Sequence, residues 1–450
     1  MAGVRGCDTA GRPWRLAVGV FGMLFVASGC SPTKGNVLAP ATGPCAGQPP
    51  GCGTQLGKAT SVAAGRWSLL PPAPVATPGQ GVVWTGRELL VWGGAGSALP
   101  GSSSPPPPAG GAAYDPAAAT WRILPTGPIA GRSDMAALWT GTQALFWGGG
   151  YGSGPQGDVH ALGDGAIFDP ATRAWRVLPI APLSPRSNPT AIWTGHEAIV
   201  FGGNTADGIA LDGATYNPST RLWERLPAFP VRHWQPFRPA RLVHNGPVGI
   251  TAVWTGRELL VWVAYQVYSF PAPNTVGIGS VQQAVAWAPG WSSWHRLPPP
   301  PSGFDTFGAT AIWTGTKVLV LNGTSCLPSM SCPNALATHW SSFDPSTDAW
   351  RPIPSNLVAS AAGPVVWTGR SVVALDAASE SPPDLVLGDA VVFDPGADTW
   401  SSLPHSPLVL LFGAKAVWTG TQVIIWGAGS STSNAAGTNP MGEALMAATP

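Results

Sequence analysis

Residues 136–150 read AALWTGTQALFWGGG, and residues 165–179 read GAIFDPATRAWRVLP. The first stretch predicts two short apolar strands joined by a tight turn at Gly141, because glycine adopts positive φ without strain. The second predicts a third strand, a type I turn begun by Asp169, and a fourth strand ended by Pro179. The apolar runs are too short for helices and suit strands covered on both faces. Together the two stretches predict a four-stranded antiparallel unit.

This unit recurs along the chain and accounts for the many tryptophans. The tripeptide Trp-Thr-Gly occurs seven times, and so does a Trp followed closely by Leu-Pro or Ile-Pro. The Trp-Thr-Gly copies begin at Trp84, Trp139, Trp193, Trp254, Trp313, Trp367 and Trp418, and the others begin at Trp67, Trp121, Trp175, Trp223, Trp294, Trp350 and Trp400. An aromatic-Asp-Pro turn or a weaker copy lies between them, with Trp287 replacing the aromatic in one unit. We interpret the repeat tryptophans as packing residues rather than as platforms for stacking sugars.

A single four-stranded unit cannot bury both of its faces, so the units must pack against one another. Radial packing into a propeller meets this need and leaves only short, protected edges. The glycine pair after the second strand, the aromatic before Asp-Pro and the Trp that follows resemble the kelch repeat, whose period is about 50 residues. The resemblance covers residues 66–450 and extends to secreted bacterial kelch proteins and the propeller of galactose oxidase. It implies an all-β, seven-bladed kelch-type β-propeller with four-stranded antiparallel blades over residues 65–450.

The order of the motifs predicts how the ring closes. The repeat begins at Trp67, which belongs to a fourth-strand motif that no first, second or third strand precedes. At the other end, the sequence stops shortly after the first two strands of the last unit. Residues 442–446 remain there as a third strand. The N-terminal strand around Trp67 should therefore complete the last blade, and deleting residues 60–72 should open the ring.

The N-terminus predicts export. Three arginines precede an apolar run at residues 16–27, which is about 18 Å long as a helix and too short for a ~30 Å hydrocarbon core. This pattern is typical of a signal peptide, here residues 1–29. The ending Ala27-Ser28-Gly29-Cys30 resembles a bacterial lipobox, which implies lipidation of Cys30 in the cell envelope, although the family prefers leucine at Ala27. An ordinary cleaved signal is the alternative, and the Gly- and Pro-rich residues 30–64 would form a tether.

The remaining mature cysteines agree with an oxidising compartment. Cys45 and Cys52 form one close pair in sequence, and Cys326 and Cys332 form another, with proline inside both intervals. Such short loops favour local disulfides in exported proteins. A metal site would need two-residue spacing or nearby histidines, which neither pair offers. We therefore expect two disulfides, no metal and no cofactor.

Charge is scarce in this chain. Charged residues make up 10% of 450 residues, and the formal net charge is +1, whereas ordinary soluble domains contain roughly 25% charged residues. Without a basic field, the chain does not suit binding to nucleic acid. The sequence also lacks Glu- and Lys-rich heptads, which excludes a long coiled coil.

Departures from the repeat mark the candidate binding site, because repeat positions are scaffold. The link from the fourth-strand Trp to the next Trp-Thr-Gly spans 17 to 19 residues in the other units but 31 after Trp223. Arginine, histidine and aromatic residues are concentrated at residues 231–244, which we call the long link. These residue types suit an anion or a sugar. In kelch propellers such links lie on the face where the central channel opens, here called the mouth face. The candidate ligand-binding residues are Arg232, His233, Trp234 and Arg238 in the long link, and Arg132, Arg186 and Asp305 in shorter ones.

Two alternatives stay open for these residues. The long link could pack as an ordinary surface loop. The arginines of the shorter links could bond loop carbonyls around the channel instead of contacting a ligand.

The sequence favours a binding or scaffold module over an enzyme. Resemblance to galactose oxidase would require a copper site of two His, two Tyr and a Cys crosslinked to Tyr, but the cysteines are expected in pairs. The sequence also lacks hydrolase and phosphate-loop motifs. We therefore expect a monomer, attached to the membrane through its lipid alone, that binds a protein or an envelope glycan. A carbohydrate-active enzyme, either an oxidase or a sugar epimerase that uses the mouth face, is the alternative.

Overall fold

The computed structural model describes residues 65–75, 79–94, 109–151, 160–230, 243–269, 277–301, 309–321, 340–353, 363–375, 390–404, 414–427 and 442–446. These residues form strands and turns, and no helix occurs among them. The first half of the strands are β1 (Arg66–Leu69), β2 (Gln80–Trp84), β3 (Leu89–Gly93), β4 (Gly111–Asp115), β5 (Thr120–Ile123), β6 (Ala136–Trp139), β7 (Ala144–Trp147), β8 (Gly150–Tyr151), β9 (His160–Ala161), β10 (Gly165–Asp169), β11 (Ala174–Val177), β12 (Thr190–Trp193), β13 (Ala198–Phe201), β14 (Asn204–Thr205), β15 (Gly208–Ile209) and β16 (Gly213–Asn217). The others are β17 (Leu222–Arg225), β18 (Val243–Trp254), β19 (Leu259–Ser269), β20 (Gly277–Trp287), β21 (His295–Leu297), β22 (Thr310–Trp313), β23 (Val318–Leu321), β24 (Trp340–Asp344), β25 (Ala349–Ile353), β26 (Val365–Trp367), β27 (Val372–Leu375), β28 (Ala390–Asp394), β29 (Thr399–Ser402), β30 (Lys415–Trp418), β31 (Gln422–Trp426) and β32 (Gly442–Met446).

Within this part of the chain, the strands form seven four-stranded antiparallel sheets and two short hairpins. Sheets I to VI each use consecutive strands of one repeat: I (β2–β5), II (β6, β7, β10, β11), III (β12, β13, β16, β17), IV (β18–β21), V (β22–β25) and VI (β26–β29). Sheet VII combines β30, β31 and β32 with β1 from the other end of the sequence. The hairpins β8–β9 and β14–β15 lie between the second and third strands of sheets II and III.

The N-terminal strand completes sheet VII. Residues Arg66–Leu69 pair antiparallel with Gly442–Met446, with Trp67 opposite Leu445. The indole Nε1 of Trp67 also donates a hydrogen bond to the carbonyl of Pro404, which follows the outer strand of sheet VI, at 2.7 Å. The pairing expected from the order of the motifs is confirmed.

In sheets I to V, the fourth-strand tryptophan ties its sheet to the sheet before it. The indole of Trp121 donates to the carbonyl of Pro71 at 2.8 Å, and that of Trp175 donates to Pro125 at 2.9 Å. Proline ends the preceding fourth strand, so its carbonyl is free to accept this bond. The same bond joins Trp223 to Pro179, Trp294 to Pro227 and Trp350 to Pro298.

The core lies between the sheets. Among the described residues, seven hydrophobic clusters each join two neighbouring sheets, and one of them joins sheet VII to sheet I. Trp92, Trp147 and Trp262, which lie in second strands, are fully buried. The first strands of successive sheets contact one another, and β30 contacts β2. The expected all-β propeller of antiparallel blades is confirmed, and its first strands are innermost.

Candidate functional site

Two of the predicted binding residues, Arg132 and Arg186, lie in the described part of the chain. They precede first strands, in the links from sheet I to sheet II and from sheet II to sheet III. The predictions for Arg232, His233, Trp234, Arg238 and Asp305 fall outside the described residues, as do those for Cys30, Cys45, Cys52, Cys326 and Cys332.

The side chain of Arg132 is fully buried and bonded within the protein. Its Nε donates to the carbonyl of Ala130 at 2.9 Å, and its Nη1 donates to the carbonyl of Gly148 at 3.2 Å. Nη1 and Nη2 also contact the two carboxylate oxygens of Asp164 at 2.6 and 3.1 Å, a bidentate ion pair. The planar guanidinium fork suits this arrangement, which a lysine could not reproduce.

Arg186 repeats this arrangement one sheet further on. It is also fully buried, and its Nε donates to the carbonyl of Ser184 at 2.9 Å. Its Nη1 donates to the carbonyl of Gly202 at 3.1 Å and to Asp212 Oδ1 at 2.7 Å. The contacts of both arginines fit the internal alternative, in which they bond loop carbonyls around the channel.

The same links also join neighbouring sheets through their backbones. The carbonyl of Arg132 accepts a hydrogen bond from Gly94 of the preceding unit at 2.8 Å, and that of Arg186 accepts one from Gly149 at 2.9 Å. The amide of Asn188 donates to the carbonyl of Asp134 at 2.7 Å, which connects the two links directly. These two links, which contain Arg132-Ser133 and Arg186-Ser187, therefore hold the mouth face together.

Asp134 and Asn188 occupy equivalent left-handed positions in these links. Their φ angles are 54° and 51°, and Gly79 at the same place before sheet I has a φ of 76°. Glycine, asparagine and aspartate are the residues that tolerate this conformation best. At Gly79 a Cβ would also lie only 2.5 Å from the Cβ of Ser133, so this position must be glycine.

Sheet IV extends beyond the other sheets on the mouth face. Its first three strands contain 12, 11 and 11 residues, whereas the first strands of the other sheets contain three to five. The pairing of β19 with β20 continues without interruption to Ser269 opposite Gly277. We call residues 243–250, 263–269 and 277–283 the sheet IV extension. Seven residues of β19 beyond Trp262 project about 20 Å at the usual rise per residue.

The extension corrects one expectation from the sequence. Val243 and His244 were expected in the long link, but they begin β18 and pair with Tyr268 and Val267. The residues that follow Trp262 indicate that the strands of sheet IV continue further than those of the other sheets.

In sheets I, II, III and VII, a glycine follows the last core residue of the second strand. Gly93, Gly148 and Gly202 follow the last core residue of their second strands and have φ values of 84°, 67° and 68°, which turn the chain away from the sheet. In sheet IV the equivalent residue is Val263, and Ala264 follows. A β-branched residue avoids positive φ and favours extended backbone, so the strand continues.

The base of the extension is fixed to sheet III. Tyr265 is buried, and its hydroxyl donates to Gln283 Oε1 at 3.4 Å. Gln283 Nε2 donates in turn to the carbonyl of Pro230, the last described residue before the long link, at 2.6 Å. Burial raises the pKa of Tyr265 to about 12, so the phenol stays protonated and remains a donor.

In the described ranges, no group of three or more His, Cys, Asp or Glu side chains could hold a metal ion. Tyr151 and His160 stack within the β8–β9 hairpin, with ring centroids 5.2 Å apart. This is an aromatic contact between paired residues.

No protein-family model matches the sequence, and a search of curated proteins finds no significant match. Among the residues described, no helix is long and apolar enough to cross a bilayer.

Proposed function

We propose that this protein is an envelope-anchored kelch-type propeller that acts as a binding or scaffold module for a protein or glycan partner. The seven sheets, the contacts between successive first strands and the return of β1 to sheet VII support a closed ring of seven blades. The second-strand glycines with positive φ and the repeated Trp–Pro hydrogen bonds support the kelch type.

The sheet IV extension carries the proposal. β21 pairs with β20 at Ala284–Ala286, and no other strand of the described residues pairs with this side of β20 over residues 277–281. An open strand edge presents N–H and C=O groups that can pair with an extended segment of another chain. Propellers otherwise keep their edges short, so a long projecting edge is an unusual feature that suits a docking role.

In this proposal the partner binds on the mouth face, but through residues other than Arg132 and Arg186. Arg132 and Arg186 keep the loops in place because their guanidinium groups are engaged within the protein. The extension and the long link that precedes it in sequence would supply the contacts with the partner. The propeller would act as a rigid support, which reduces the entropic cost of binding.

The anchoring is also a proposal. Residues 1–29 would direct export, Cys30 would carry lipid, and residues up to 64 would connect the lipid to β1. In the order of sheet VII, β1 is the outer strand, so the tether would join the propeller at its rim. Labelling cells with a palmitate analogue tests this proposal: the wild type should be labelled and sediment with membranes, and Cys30→Ser should do neither. Labelling of the Cys30→Ser variant would contradict it.

Binding is tested by shortening the extension. Tyr265 lies opposite Val281, so an Asn-Gly turn in place of residues 266–280 can close the hairpin and leave the base intact. Partner capture would be measured by glycan array and by photocrosslinking from position 282 of β20, which the shortened variant retains. The double variant Arg87→Ala/Arg257→Ala, which changes two exposed side chains in Trp-Thr-Gly turns at the opposite end of the strands, serves as the control.

The expected outcome is loss of binding by the shortened variant at an unchanged melting temperature, with the control variant unaffected. Binding to a glycan on the array would identify a glycan partner, and a crosslinked protein would identify a protein partner. Full binding by the shortened variant would overturn the assignment to the extension. Stoichiometric copper in the purified protein would instead favour the carbohydrate oxidase.

A further inference from the structure

Lys415 has an unusual position, at the start of the innermost strand of sheet VII. Among the seven first strands of the described structure, it is the one Lys, Arg, Asp or Glu residue. It lies three residues before the Trp of its Trp-Thr-Gly motif. The equivalent residues in sheets I to VI are Gly81, Ala136, Thr190, Thr251, Thr310 and Pro364, all buried.

Lys415 differs from these residues because its side chain is partly exposed. β30 contacts β26 on one side and β2 on the other, so Lys415 lies on the innermost strand of its sheet, at the wall of the central channel. A long cationic side chain therefore occupies a position that holds short, uncharged residues in the other six sheets.

A second polar group lies at the same seam between sheets VII and I. Trp426 pairs directly opposite Lys415, so both side chains lie on the same face of the sheet. The indole Nε1 of Trp426 donates to Gln80 Oε1 of sheet I at 3.1 Å. This bond fixes the amide of Gln80, which is 95% buried, and its Nε2 has no hydrogen-bond partner. A buried amide N–H without an acceptor is costly, so an acceptor placed there would be stabilised.

The electrostatics also favour an added anion. Burial lowers the pKa of Lys415, and the carboxylate of Asp134 at the channel mouth partly opposes this shift. Because the pKa is lowered overall, desolvation destabilises the ammonium more than the attraction to Asp134 stabilises it. An oxyanion beside the ammonium would supply the missing counter-charge, while Asp134 would disfavour a highly charged ligand.

We propose that Lys415 and the amide of Gln80 form a binding site in the channel wall for a small oxyanion, either a phosphate or a carboxylate. The site would hold a free anion or the acidic end of a larger ligand through one charged and one neutral donor. It is independent of partner docking on the sheet IV extension.

The test uses the full-length protein and its small number of lysines. The chain contains Lys34, Lys58, Lys317 and Lys415, so trace reductive methylation with formaldehyde can be mapped residue by residue by mass spectrometry. Phosphate, formate and sodium chloride of equal ionic strength would be compared. A dissociation constant near 1 mM would make about 10 mM phosphate or formate slow the methylation of Lys415 roughly tenfold. The rate at Lys317, on a Trp-Thr-Gly turn, should not change.

Variants separate the proposed site from a structural lysine. Gln80→Leu should weaken the protection of Lys415, and Asp134→Asn should strengthen it about fivefold by removing a nearby like charge. Asparagine is suited to this position because Asn188 adopts the equivalent conformation with a φ of 51°. Phosphate and formate that leave the methylation of Lys415 unchanged would overturn the proposal. So would protection that is insensitive to both Gln80→Leu and Asp134→Asn.

Discussion

Replacing Arg132 with methionine should destabilise the fold by about 3 kcal/mol. Methionine preserves much of the buried volume but removes the charge and every donor. Loss of one partner of a buried, hydrogen-bonded ion pair costs roughly 3–5 kcal/mol. The lower end applies here because Asp164 is 49% exposed and can be solvated after the change. The unpaired carbonyls of Ala130 and Gly148 account for part of the cost, at about 1 kcal/mol each.

Urea unfolding followed by tryptophan fluorescence would measure this change. Arg225→Met is the matched control, because Arg225 is 62% exposed and lies 3.7 Å from Asp212. Exposed pairs of this kind contribute about 0–1 kcal/mol. Asp164→Asn should fall between the two variants, since it removes the charge and leaves the carbonyl contacts of Arg132 in place.

The reasoning fails if Arg132→Met unfolds at the same urea concentration as Arg225→Met. An unchanged stability combined with weaker ligand binding would assign Arg132 to the ligand. Loss of stability with unchanged partner binding would support its role in holding the mouth face together.

Three further changes test the ring, the channel and a repeat turn. Trp67→Phe removes the hydrogen bond from the N-terminal strand to Pro404 and should cost about 1 kcal/mol in urea unfolding. Trp223→Phe removes the same kind of bond elsewhere in the ring, and a zero cost at Trp67 alone would argue against closure by β1. Lys415→Met should stabilise the fold at pH 7, because burial lowers the folded pKa of Lys415 below its usual 10.5. The cost of its charge is fully present below the folded pKa and disappears as pH rises towards 10.5, so the two unfolding curves should converge there. Ser346→Ala should raise the pKa of Asp344 in an NMR titration, because the side-chain hydrogen bond from Ser346 is the main cause that lowers it, and an unchanged value would contradict that assignment.

Much of the blade architecture was predictable because its signals are local. The stretch at residues 136–150 predicted two strands, which are β6 and β7. The Asp169 turn also forms, with its carboxylate accepting hydrogen bonds from the amides of Ala171 and Thr172. Trp287 takes the place of the repeat aromatic opposite Leu259, as Tyr114 does opposite Leu89. Turn chemistry and short apolar runs depend on neighbouring residues, so the sequence alone can specify them.

The candidate site was less predictable because it depends on residues distant in sequence. Arg132 was a candidate ligand contact or an internal residue, and only the position of Asp164, 32 residues later, distinguishes the two. The sheet IV extension had a signal in Val263, where four of the other six units have glycine, but the strand length depends on pairing with β20. Lys415 carried no motif at all. Its proposed role depends on Trp426 and Gln80, which only the tertiary structure joins.

The sequence by itself determined the repeat, the antiparallel meander and the return of the first strand to the last sheet, because these follow from short-range propensities and the order of the motifs. Tertiary structure decided which polar groups are engaged. It buried Arg132 against Asp164, and it paired Lys415 with Trp426, whose indole bonds to Gln80. The physical reason is that burial and electrostatic partners depend on which sheets pack together in space. In a ring, residues hundreds of positions apart in sequence become neighbours. These neighbours determine the charge and the hydrogen bonds of each polar group.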